Sequence, residues 1–161
     1  MNIFVLSTDP VSAAKQQNDK HVRKMVLETA QLLCAVYDPG TAPYGRTHYN
    51  HPCAKWTRAS FENYEWLLMH GIALATEYTI RFGKRHACES TIEWCADNAY
   101  KLAFPQQALT PFAQAMPIAY KYPDPVIAYQ TYYIADKYYF GCWTPPSQPP
   151  DWWPYPNMYT P

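Results

Sequence analysis

NDKHVRKMVLETAQLLCAV, residues 18–36, carries the periodicity of an amphipathic helix. Advancing about 100° per residue from His21, the residues Val22, Met25, Val26, Thr29, Leu32, Leu33 and Val36 fill one arc of about 120°, wide enough to face a core. His21, Lys24, Glu28 and Gln31 form a stripe about 80° wide beside that arc. A stripe at the rim of a core borders a cleft. It sets an imidazole, an ammonium, a carboxylate and an amide on one rigid surface, which suits phosphate, sugar hydroxyls or a base edge. The plain alternative is a solvated flank on which Lys24 and Glu28 form an i, i+4 pair worth about 0.3–0.5 kcal/mol.

The residues on either side punctuate this helix. Asp9-Pro10 reads as an N-cap with proline at the first helical position, Asn18 or Asp19 caps the main helix, and Asp38-Pro39-Gly40 stops it. NIFVLS, residues 2–7, is a short apolar segment expected to lie extended against the core. Residues 38–54 make a long loop with three prolines and two glycines. Such loops are more often functional than passive.

From Lys55 to Phe82 the pattern is helical again, with Phe61, Tyr64, Leu68, Ile72, Ala75, Thr79 and Phe82 on one face and Gly83 closing the end. Glu62 and Glu65 near its start, and Arg81, Lys84 and Arg85 near its end, match the helix dipole. A shorter helix is expected over 87–98, and a last one over 123–140, PDPVIAYQTYYIADKYYF. No repeat and no alternation long enough for a sheet is present. The expected architecture is mostly α: a single compact helical domain, residues 1–144, followed by a proline- and aromatic-rich C-terminal tail, residues 145–161. Six of residues 145–156 are proline, which rules out helix and central strand. Trp152 and Trp153 are expected to pin the tail to the domain or to a partner subunit, so a homo-oligomer is one expectation.

A chain of 161 residues fits one domain that can bury about 70 % of its unfolded surface. The five cysteines are an odd number without a CxxC pair. No secretory leader is recognisable, so a reduced, cytoplasmic protein is expected. No apolar run approaches the roughly 18 residues of a membrane span. Thirteen basic and thirteen acidic residues cancel, without the basic excess that usually drives binding to duplex DNA. Residues 1–60 nevertheless carry seven Lys or Arg against four Asp or Glu, and residues 61–100 three against six. A modest positive patch is therefore expected on the first part of the chain.

A second constellation lies in the long loop and the start of the next helix. Arg46, His48, His51, Lys55 and Arg58 surround a helix start whose free N–H groups favour anions. Asn50-His51-Pro52 also reads as a plain turn in which His51 satisfies backbone groups. His48, His51 and Cys53, with His86 and Cys88 on another segment, match no zinc spacing, so neither a metal nor another cofactor is expected. No nucleophile-elbow, phosphate-loop, dinucleotide or metalloprotease motif occurs. Tyr129, Tyr132, Tyr133 and Tyr139, with Tyr120 and Tyr122 upstream, read mostly as core. One or two of them are alternatively stacking platforms for a base, worth about 1–3 kcal/mol each.

Several stretches together resemble a widespread set of small phage-encoded proteins: NIFVL with Asp9-Pro10, DKHV at 19–22, Lys24-Met25, Ala30-Gln31, THYNHPC at 47–53, NYEWL at 63–67, and TPF and AMP at 110–117. Those proteins are often described as pyrimidine-dimer DNA glycosylases because they distantly resemble repair enzymes of the phage endonuclease V type. In the second resemblance Asp19, His21 and Glu28 fall on that family's Asp-x-His stretch and catalytic glutamate. The resemblance implies a helical endonuclease V type fold. It also implies a mechanism in which a free α-amine attacks the sugar C1′ while Glu28 handles protons. The chain departs from that family at residue 2, where Asn leads one to expect Met1 to stay, and in its neutral charge.

The expected function is accordingly a phage protein, in the cytoplasm of the infected host, that binds a small nucleotide-derived ligand and sequesters or hydrolyses it to counter host defence. Cyclic nucleotides and ADP-ribose-type signals are the ligands expected. Lys20, His21, Lys24, Gln31, Arg46, His48, His51, Lys55 and Arg58 would hold the ligand, and Glu28 would be catalytic in an enzyme. The alternative is a DNA glycosylase with lyase activity on damaged pyrimidines, with DNA as partner.

Overall fold

The computed structural model describes residues 1–161. Six α-helices and no strands make up its regular structure: α1 Pro10–Gln16, α2 Asp19–Cys34, α3 Pro52–Thr57, α4 Phe61–Phe82, α5 Glu89–Asn98 and α6 Pro125–Asp136. Short 3-10 turns follow α5 and α6, and another precedes α6. Four helices start at Asp, Asn or Ser caps, of which Asp9 and Asn18 are expected from the sequence. Asp9, Asn18, Ser60 and Asp124 each accept a hydrogen bond from an N–H of the first turn. Gly83 ends α4 in the left-handed region, φ 67°, as a C′ glycine does.

The helices pack around α2 and α4. On α2 the buried residues run from Glu28 and His21 through Met25, Val22 and Val26 to Ala30 and Cys34, an arc of about 240° at 100° per residue. Only Lys20, Arg23, Lys24 and Leu27 are exposed on this helix, with Gln31 half-buried. The core arc is thus twice as wide as the hydrophobic residues alone predict. Residues 2–6 and α6 cover the flank that bears His21 and Glu28, so two members of the expected polar stripe are pulled inside.

The expected helix over 55–82 is two helices, broken at Arg58–Ser60 where Ser60 caps α4. The first free amides of α4 are met by chain that passes over them. Phe61 N–H donates to the Gln106 carbonyl and Glu62 N–H to the Gln107 carbonyl, each at 3.0 Å. The buried side of α4 holds Tyr64, Trp66, Leu67, His70, Gly71, Leu74, Glu77 and Arg81, whereas Ile72 and Thr79, expected inside, are exposed. α6 ends at Asp136 rather than 140. Tyr129 and Tyr133 lie in the core, and Tyr122 and Tyr139 are exposed.

The tail closes on its own chain. Trp153 is buried within the same hydrophobic cluster as the helices, and Trp152 Nε1–H donates to Gln16 Oε1 at 2.7 Å. No helix is long and apolar enough to cross a membrane.

Candidate functional site

The N-terminal segment is apolar from Ile3 to Leu6, and burial of those four side chains fixes it beside α2. Asn2 locks its first turn. The Asn2 amide donates to the Ala115 carbonyl at 2.7 Å, and its Oδ1 accepts the Ile3 and Phe4 N–H groups at 2.8 and 3.2 Å. Phe4 then adopts φ 42°, a left-handed conformation costly for an aromatic residue. Its ring stacks on His21 at 4.2 Å and meets Tyr133 and Tyr129 edge-on at 5.5 and 6.0 Å, so the surrounding aromatics hold the bend.

That bend delivers the chain's first residues to Glu28. The Asn2 N–H donates to Glu28 Oε2 at 3.0 Å, and the Met1 α-amine lies 3.8 Å from the same oxygen. Lys24 Nζ holds the other carboxylate oxygen at 3.1 Å. The Met1 side chain is 3 % exposed although the residue as a whole is half-buried. What remains open to solvent is therefore the main-chain end that bears the amine. At 3.8 Å the amine is beyond hydrogen-bond reach of the carboxylate.

The long loop ends at His51, at the start of α3. Its Nδ1 accepts the Cys53 N–H at 3.1 Å and caps α3, which leaves the proton of the neutral ring on Nε2. Partial burial holds the imidazole below its usual pKa, with the charges of the α-amine and His48 acting in the same direction and Glu28 against them. Burial among the same groups pushes the Cys53 thiol up to about 12, so it is no nucleophile.

The other expected site residues divide. His21 lies on the inner side of α2. It is buried, receives the Tyr133 hydroxyl at Nδ1 and stacks on Phe4, and burial drives its pKa down to about 3. Its ring is held among the aromatic side chains of the core. Gln31 is half-buried one turn beyond Glu28. Lys20 lies two turns away, its ammonium 4.4 Å above the Phe140 ring. Arg46 and Arg58 both lie against the Tyr49 ring, at 4.8 and 3.8 Å. They also hold backbone carbonyls, Arg46 that of Tyr37 and Arg58 that of Tyr49. His48, with φ 50°, and Lys55 are exposed on the same loop and helix.

Arg46 also pairs with Asp38 at 3.7 Å, and of the expected cations only Lys24 contacts Glu28. A shallow pocket of about 460 Å³ beside the start of α3 is lined by Pro52, Phe112, Gln114, Lys121, Tyr122 and Pro123. No group of three His, Cys, Asp or Glu residues is placed to hold a metal ion.

Sequence periodicity missed Asn2 and the part played by residue 1. Neither gives a periodic signal, because a terminal residue's position is set by what covers it. The chain matches no protein-family model, no curated protein and no solved structure.

Proposed function

We propose that the chain is a lyase of the DNA glycosylase type, in which the α-amine of residue 1 attacks C1′ of a damaged or base-free deoxyribose and Glu28 serves the proton transfers. The observation that carries this reading is the α-amine 3.8 Å from a nearly buried carboxylate. α-Amines ordinarily titrate two or more units below lysine, which makes them the more available nucleophile near neutral pH. Attack of the amine on the C1′ aldehyde of an open-chain sugar forms an imine and releases water. Loss of the C2′ proton to a base then expels the 3′ phosphate by β-elimination, and water regenerates the amine. In this reading Glu28, 3.8 Å from the amine, takes and returns its protons through one bridging water. His51 Nε2–H and Lys24 are donors for the negative charge that leaves, and Arg46, Lys55 and Arg58 lie along the same loop to meet phosphate.

The test is reductive trapping on an oligonucleotide that contains an abasic site, with a pyrimidine-dimer oligonucleotide alongside. Borohydride should link protein to DNA covalently, and the intact mass with peptide mapping should place the link on the first residue. Extending the N-terminus should abolish the adduct. Glu28→Gln should lower turnover by about a hundredfold or more. Absence of an adduct, or an adduct indifferent to the extension, overturns the reading.

A second reading, sequestration or hydrolysis of a small nucleotide-derived signal by the same cations, is favoured by the exact balance of thirteen basic and thirteen acidic residues. It predicts a thermal shift with cyclic dinucleotides or ADP-ribose derivatives, about 2.7 kcal/mol at a hundredfold the Kd. It also predicts no adduct with DNA, and Glu28→Gln should then leave much of the affinity intact.

A further inference from the structure

We propose that the exposed face of α4 is a homodimer interface, on which α4 of one chain packs antiparallel against α4 of a second copy. Three large apolar side chains on this face, Met69, Ile72 and Ile80, are 46–47 % exposed. They are not scattered. Glu62, Glu65, Met69, Ile72 and Thr76 follow one another at the alternating three- and four-residue steps of a coiled-coil seam, and Ile80 continues it one turn on. At 100° per residue all six, with Ala73, lie within an arc of about 100°.

The seam is complementary to its own reverse. Met69 and Ile80 lie equally far in sequence from a midpoint between Leu74 and Ala75, in the C-terminal half of α4, and so do Glu65 and Lys84, the latter two residues past the end of the helix at Phe82. A twofold axis at that midpoint therefore sets Met69 against the second copy's Ile80 and Glu65 against its Lys84, with the small Ala73 and Thr76 at the crossing. Glu65 and Lys84 are exposed, and neither forms an ion pair within the chain.

The surroundings extend the same pattern. α1 runs parallel to α4, with the Pro10 carbonyl at His70 and the Lys15 carbonyl at Arg81. Between them lies a groove of about 480 Å³ with Val11, Met69, Ile72 and Ile80 in its walls. It continues past Lys15, Glu77 and Ile80 into a second groove of about 320 Å³ bounded by the tail at Pro146–Gln148. The grooves give a partner's side chains holes to fill, and Lys15 adds a second cation at the end that receives the partner's Glu65. An isologous contact of this kind closes on itself and yields a dimer rather than a filament.

Sedimentation equilibrium and multi-angle light scattering on the full chain test the proposal. A dimer is expected at tens of micromolar. Ile72→Asp should weaken it by about a hundredfold or more with the helical circular dichroism unchanged, because Ile72 lies outside the buried core cluster. Glu65→Lys alone should weaken the dimer several-fold by facing Lys84 of the second copy, and Lys84→Glu added to it should restore the affinity. A chain that stays monomeric at a hundred micromolar overturns the proposal. So does a dimer indifferent to Ile72→Asp, a charge-reversed pair no better than Glu65→Lys alone, or a monomer whose groove takes up an apolar dye that Ile72→Asp excludes.

Discussion

At the scale of single residues, His21 and Glu28 occupy neighbouring positions on α2 and are both nearly buried, yet their surroundings divide their roles. His21 is enclosed by Phe4, Tyr133 and Phe140. The Tyr133 hydroxyl accepts the Asn18 N–H and so has its own proton to give to His21 Nδ1. Burial lowers the pKa of His21 to about 3, and that of His70, wholly enclosed, to about 4. Both values lie below the ordinary 6.5 of the unfolded chain. Between the folded and unfolded values the unfolded chain binds more protons. The stabilisation is therefore complete above pH 6.5 and is lost as pH falls toward 4 and 3. From pH 7 to pH 5 the two histidines together should cost about 4 kcal/mol of stability. Urea denaturation at the two pH values measures it. His21→Gln should remove about half of that pH dependence, and an unchanged difference would show that His21 is not buried neutral. Glu28 has instead the chain's first amine, the Asn2 N–H and Lys24 as neighbours, all polar and one of them open to solvent, which is why it and not His21 forms the candidate centre.

At the scale of elements, the fold depends on how closely α2 and α4 approach. Gly71 marks the crossing: a Cβ built there would come within 2.7 Å of Thr29 Cγ2 and 3.1 Å of Ile92 Cδ1. Thr29 is β-branched and buried, so it cannot swing aside. Gly71→Ala should cost about 1–3 kcal/mol despite the better helix propensity of alanine. Thermal denaturation would read this, and a gain in stability would mean that the crossing tolerates a methyl group. The helices themselves were legible from the chain. Asp9-Pro10, Asn18 and Gly83 mark their ends by local chemistry, and the apolar arc of α2 points into the core as its spacing requires. The break at Ser60 was hidden because Trp56 and Tyr64 keep the helical period across it. Ile72 was misplaced because apolar spacing finds a face without saying which of two apolar faces meets the core. On α4 the true inner face carries His70, Glu77 and Arg81, whose polarity disguises it until their partners are known.

Those partners belong to the scale of the whole molecule, where the two ends of the chain are tied to the helices by groups far away in sequence. The N-terminal segment rests on Asn2, which reaches Ala115, and on Glu28. The tail rests on Arg81, whose side chain is wholly buried. Its guanidinium donates to Glu77 Oε2 at 2.8 and 3.0 Å, to Asp19 Oδ1 at 3.2 Å, and to the Gln17 and Lys15 carbonyls at 2.7 and 2.9 Å. Asp19 in turn accepts the Thr144 N–H and hydroxyl, and Glu77 accepts the Ser147 hydroxyl. One cation thus joins α1, α2 and α4 and, through two carboxylates and its own bond to Ser147 Oγ at 3.0 Å, the segment that leads into the tail. Buried ions hold a structure together only while every partner is present, because each alone would be a charge without solvent. Arg81→Met removes the cation and leaves Asp19 and Glu77 facing each other's environment unpaired, which should cost about 3–5 kcal/mol. The loss should be spatially selective. Hydrogen exchange should accelerate at residues 142–153 and at the start of α2, where the Asp19 N–H donates to the Cys142 carbonyl, before it accelerates in the middle of α4. Ser147→Ala, which removes one hydroxyl and no charge, should cost only about 1 kcal/mol and leave the tail docked through Trp153. If Arg81→Met raised exchange uniformly, the tail would be an integral part of the core's cooperative unit. If it left exchange at 142–153 unchanged, the apolar contacts of Trp143 and Trp153 alone would hold the tail.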